Sequence, residues 1–187
     1  MFQLRRHLNG GSKDPDRPQY VVSNAESLSF DSELIVCDLD EVRRLASLLQ
    51  GASNALERRS AAVAMVSLIR GEFLADLRYE DWATGVQMSV AAELREPLLG
   101  IASASIPDIP AHVSLRAAEV LAEFDPFDES AHVAMARKLH EMGRRAAARR
   151  LISEFAIAVE RELQVPPSHD LHTALSDLGG IPTPQVH

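Results

Sequence analysis

Residues 121–151 read LAEFDPFDESAHVAMARKLHEMGRRAAARRL. Asp125-Pro126 ends one helix, because proline lacks the amide that a continuing helix needs. Asp128 or Ser130 is placed to cap the next one. In that helix Ala131, Met135, Leu139 and Met142 fall at spacings of 4, 4 and 3 and form one apolar stripe. Gly143 permits a tight reversal. The following helix carries Ala148, Ile152, Phe155 and Val159 on one face, with Leu151 alongside. Ala136 and Ala148 are small where two antiparallel helices would cross, so the backbones can approach closely. The segment predicts a helical hairpin with short connections.

The rest of the chain is read outward from this hairpin. From Asp38 onward the periodicity is helical. Asp38 or Asp40 caps a helix ending at Gly51, with Val42, Leu45, Ala46, Leu48 and Leu49 inward. A second helix spans 54–70, with Ala61, Ala64, Met65, Leu68 and Ile69 inward. A connector bearing Phe73, Leu74 and Tyr79 leads to a third helix, 82–103, which Trp82 opens as a core residue and Pro97 should bend or break. Helices over 111–124, 129–142, 144–163 and 168–178 follow, the last capped by Ser168. Upstream, residues 12–18 form a loop, and the runs 20–23, 27–30 and 34–37 predict a small β-meander. Cys37, inside the apolar run LIVCDL, is expected to be buried and inert. The fold class is therefore mainly α, with a short β-rich start.

The 187 residues are enough for one sizeable core or two small ones. The net charge of −8 is uneven. Residues 1–20 hold Arg5, Arg6, Lys13 and Arg17 against Asp14 and Asp16, so the body behind them is acidic and repels phosphate. One cysteine excludes an intrachain disulfide and fits a reducing cytoplasm. No stretch approaches the apolar length of a membrane span. There is no glycine-rich phosphate loop, nucleophile elbow or cysteine-type metal spacing, so the expectation is neither enzyme nor cofactor. His169 and His172 share a helix face but lack a third ligand nearby, and His132 reads as a packing and hydrogen-bonding residue.

The hairpin over 121–151 resembles a tetratricopeptide repeat (TPR) in its Asp125-Pro126, Ala136, Leu139, Gly143 and Ala148; helices 82–103 and 111–124 would form a weaker preceding unit. A helical bundle with alanines at its crossings would share these features and the same fold class. Three stretches taken together are similar to the bacterial transcriptional activator domain (BTAD) of SARP-type regulators. They are LIRGEFLADLRYEDW (68–82), EFDPFDESAHVAMARKLHEMGRRAAARRL (123–151) and VERELQVPPSHDLHTAL (159–175). The family pattern is an Arg-Gly-acidic run before a tryptophan, then Asp-Pro with Glu-x-Ala-His, a glycine turn, and Glu-Leu-Gly-Val-x-Pro-Ser. Gln164 stands where that last run has glycine. The resemblance covers roughly residues 38–178.

The resemblance implies TPR-like stacked hairpins over 38–178, a tail over 179–187, and a partial winged-helix DNA-binding domain over 1–37. QLRRHL would then be the end of a recognition helix and 19–45 the wing and crossover, with the upstream part of that domain absent. Arg5, Arg6 and His7 are residue types that contact phosphate or guanine, Lys13 and Arg17 could serve as wing contacts, and a solvated helix end is the other reading of Arg5 and Arg6. DNA binding by this chain alone would be weak or absent. Arg144, Arg145, Arg149 and Arg150 cluster at one helix start, which the helix dipole opposes unless Glu141, Glu154 or another chain answers them. They are the candidate protein-contact residues, facing a second subunit or RNA polymerase. The alternative is a stand-alone TPR-like adaptor without DNA binding.

Overall fold

The structure, a computed structural model, describes residues 20–23, 28–31, 33–77, 80–103 and 109–179. It is mainly helical. The chain divides at Glu41–Val42 into two compact units.

In the first unit β1 (Val21–Ser23) pairs antiparallel with β2 (Leu28–Phe30), Val21 opposite Phe30. The expected third strand over 34–37 does not form. Asp31 captures the chain instead: its side chain accepts the Glu33 amide at 2.9 Å, and its carbonyl accepts the amides of Leu34 and Ile35. That Asx-type turn reverses the backbone where a strand would have to extend. Val36 is consequently 91% exposed, and Cys37 is exposed rather than buried.

Seven α-helices lie among the described residues. Helix α1 (Asp38–Gly51) starts on three carboxylates, Asp38, Asp40 and Glu41, which suit the positive end of its dipole. Val42, Leu45 and Ala46 are buried, whereas Leu48 is exposed. Helix α2 (Ala55–Leu68) is capped by Asn54, whose side chain accepts the Glu57 amide at 2.8 Å. It buries Ala61, Ala62, Met65 and Val66; Ala64, expected inward, is exposed.

Helix α3 (Asp81–Ala102) continues unbroken past Pro97. A proline there removes one hydrogen bond and costs about 3 kcal/mol. Burial of Leu94, Leu98 and Ile101 on the same helix, each contributing about 1.5–3 kcal/mol, outweighs it. Trp82 is not a core residue: it is 59% exposed, and Ala83, one position on, takes the inward place.

Helices α4 (Ala111–Phe124), α5 (Glu129–Glu141), α6 (Arg145–Ala158) and α7 (His169–Gly179) follow in order. Each of α3 to α6 packs on its successor, and α3 also packs on α5, α5 on α7, and α2 on α4. One core joins Val133 and Ala136 of α5, Ile152, Phe155 and Ala156 of α6, and Leu171, Ala174 and Leu178 of α7. A second joins Leu115, Leu139 and Ala148, one residue from each of α4, α5 and α6. Ala136 and Ala148 are fully buried, as close helix crossing requires.

The α5–α6 reversal is a Schellman motif. The Arg144 amide donates to the Leu139 carbonyl at 2.8 Å, the Gly143 amide to His140 at 2.9 Å, and Gly143 has φ +77°. Helix α6 passes into a π-turn (Val159–Leu163) that ends on Gln164 in the left-handed region, φ +56°. Among the described residues no helix is long and apolar enough to cross a membrane.

Two outcomes follow from this packing. A Cβ on Gly143 meets no atom within 4 Å, so only backbone conformation resists it. Gly143→Ala should lower stability by about 1 kcal/mol, the left-handed penalty less the entropy gained in the unfolded chain, read as a lower urea midpoint at unchanged slope. The second concerns acid. Arg43 of α1 grips Glu93 of α3 with two nitrogens at 2.9 Å, and these hydrogen bonds hold the Glu93 carboxyl below its usual value of 4.5 despite some desolvation. A lowered folded pKa stabilises above 4.5, and the contribution vanishes as pH falls through the folded pKa. Glu93→Gln should therefore destabilise at neutral pH, and urea midpoints of variant and parent should converge as pH drops below 4.5.

Candidate functional site

The start of α5 gathers the motif residues. Asp128 caps the helix, its Oδ1 accepting the Ala131 amide at 3.0 Å. Its other oxygen, Oδ2, takes two nitrogens of Arg95 from α3, at 3.0 and 2.9 Å. The Asp128 side chain is only 5% exposed, so its charge is compensated where water cannot do it. The neighbouring Glu129 turns elsewhere: its Oε1 accepts the Ser168 amide at 3.4 Å, at the N-terminus of α7. Ser168 in turn caps that helix, its Oγ accepting the Leu171 amide at 3.3 Å.

One turn on, His132 stacks on Phe155 of α6, ring centroids 3.7 Å apart and planes within 8°. Its Nδ1 lies 3.0 Å from the Asp128 carbonyl oxygen, so the proton sits on Nδ1. His132 is thus a packing and hydrogen-bonding residue. Further along α5, the buried Lys138 donates to Glu141 at 2.8 Å. It borders a small cavity of about 310 Å³ between the end of α3, one face of α5 and the start of α7.

The arginine cluster separates into different roles. Arg149 is structural: its Nε donates to the Leu178 carbonyl at 2.7 Å, satisfying one of the open carbonyls at the end of α7. Arg144, Arg145 and Arg150 are exposed and form no ion pair with a described residue. Glu141, expected to answer them, is taken by Lys138, and Glu154 pairs with none of the four. No acidic residue occupies the first turn of α6, and no side chain caps it.

Arg144 and Arg150 border an open groove of about 660 Å³. Its floor is apolar, made by Leu139, Ala147, Leu151, Phe155 and Ala158. Pro126 and Phe127 of the α4–α5 turn close one side. Arg145 and Arg149 are not part of it.

Arg5, Arg6, His7, Lys13 and Arg17 lie outside the described residues. His169 is exposed at the start of α7 with His172 one turn on, and no three His, Cys, Asp or Glu gather as a metal site among the described residues.

The sequence offers Asp128 or Ser130 as the cap, of which the structure uses Asp128, and it gives the role of His132; it does not reveal the groove, the Arg95–Asp128 pair or the Glu129–Ser168 contact. The last two join residues 33 and 39 positions apart, beyond any local spacing rule. No protein-family model, curated protein or solved structure matches this chain.

The split within the cluster has a direct check. Arg149→Ala should cost about 1–2 kcal/mol, the loss of a charged donor to a carbonyl, with faster amide exchange confined first to α7. Arg145→Ala should stay within about 0.5 kcal/mol of the parent, as an exposed change does.

Proposed function

We propose that this chain is part of a bacterial transcription regulator of the SARP type. Residues 38–178 form a BTAD-like, TPR-like helical domain that works by protein contact and oligomerisation. Residues 1–37 derive from a winged-helix domain that binds DNA in a sequence-specific way. The chain acts by binding, in the cytoplasm, without catalysis or a cofactor.

The observation that carries this reading is the convergence of stretches that the family resemblance joined only by order. Glu129, from the Asp-Pro…Glu-x-Ala-His run, bonds the backbone of Ser168, from the closing Pro-Ser. His132 of the first run stacks on Phe155, whose helix leads into the second. Gln164 occupies the glycine position of the family pattern, and its φ is +56°, a conformation that favours glycine. The neighbour and next-neighbour packing of α3, α5 and α7 supports stacked hairpins, because a plain antiparallel bundle does not require every second helix to meet.

The test is made in the cell, with a tag on the C-terminus of the product of the native gene. Chromatin immunoprecipitation should recover discrete promoter-proximal sites, and Arg5→Ala with Arg6→Ala should reduce that enrichment severalfold. Uniform recovery along the chromosome, unaltered by these substitutions, would favour the stand-alone adaptor.

A further inference from the structure

We infer that the groove on α5 and α6 is a docking site for an acidic amphipathic helix of a partner protein. This deepens the protein-contact reading above and rests on it. The floor runs along α6 from Ala147 to Ala158, a span of about 16 Å at the helical rise. That is the length of about three turns, enough for apolar anchors at i, i+4 and i+7. Leu151 and Ala147 are only partly buried by the chain's own packing, while Leu139 and Phe155 close the bottom.

Charge selects the kind of helix. Arg144 stands at the start of the groove and Arg150 on its wall, and neither has an ion-pair partner among the described residues. Glu154, one turn beyond Arg150 on the same wall, forms no ion pair with it either. The groove is therefore basic toward the start of α6 and acidic further along. A bound helix places carboxylates against Arg144 and Arg150 and none over Glu154. Two cations over an apolar floor, on a chain of net charge −8, do not make a nucleic-acid surface.

The probe is a dye-labelled helical peptide of about 16 residues, leucines at i, i+4 and i+7 and glutamates on one flank, titrated with the full chain by fluorescence anisotropy. Saturable binding is expected that weakens at least about tenfold in the double variant Arg144→Glu, Arg150→Glu. It should tighten about two- to threefold in Glu154→Gln and weaken with added salt. Arg145→Glu makes a like charge change outside the groove and should leave affinity within about twofold. Thermal melts of each variant confirm folding.

Equal affinity for a lysine-flanked version of the peptide, or equal losses in the Arg145 and Arg144/Arg150 variants, would overturn the proposal. So would a chain that dimerises and loses the dimer on Leu151→Glu, since a second copy would then own the groove. Promoter occupancy that survives while peptide binding fails would sink this inference and leave the regulator reading standing.

Discussion

At the first turn of α5, two adjacent carboxylates reach in different directions. Asp128 caps its own helix and holds Arg95 of α3; Glu129 holds the backbone at the start of α7. Three helices that are distant in sequence are fixed together by two consecutive side chains. The helix dipole favours both, because negative charge is stabilising at a helix N-terminus. Burial raises the stakes for Asp128: without Arg95 its carboxylate would be an uncompensated charge out of reach of water. The apolar contacts of α5 with α6 and α7 supply most of the driving force, yet they are not directional. The polar contacts at this junction are directional and add geometric constraints that the apolar contacts lack.

Much of the helical part is legible in the sequence because its signals are local. Asp125-Pro126, the Asp128 cap, the alanines at the crossings and Gly143 each act within a few residues of where they stand. The helices from 111 to 178 fall within a residue or two of their expected bounds, apart from the passage of α6 into a π-turn. Where the reading fails, a non-local or competing interaction wins. Pro97 should interrupt α3, but the buried face of that helix outweighs one lost bond. Trp82 should be core, but the phase of α3 gives the inward place to Ala83. The run 34–37 has strand composition, yet Asp31 offers the backbone a turn first.

The arginine run at 144–150 shows the same division on a smaller scale. Composition alone presents four equivalent cations at a helix start, where the dipole opposes them. The fold makes them unequal. Arg149 reaches across to the opposite end of another helix, where the exposed carbonyls of α7 welcome positive charge. Its cost at the start of α6 is thus offset by a gain at the end of α7. Glu141, the acid nearest in sequence, is committed to the buried Lys138, which needs it more.

Arg144 and Arg150 have no such internal compensation. They stand beside an apolar floor on a helix whose first turn holds no acid and no side-chain cap. A chain selected only for stability gains from an acidic residue at that turn, worth about 0.3–1 kcal/mol, and this one has arginine at both Arg144 and Arg145 instead. Surface cations facing water cost little, so their presence is not a strain. What distinguishes Arg144 and Arg150 from Arg145 is position: the same charge becomes a selectivity device only where it borders a surface that another chain can cover. The groove supplies that surface: α6 buries Ile152, Phe155 and Ala156 in the core with α7 and Ala148 against Leu115 and Leu139, and leaves Ala147 and Leu151 partly open beside the α4–α5 turn.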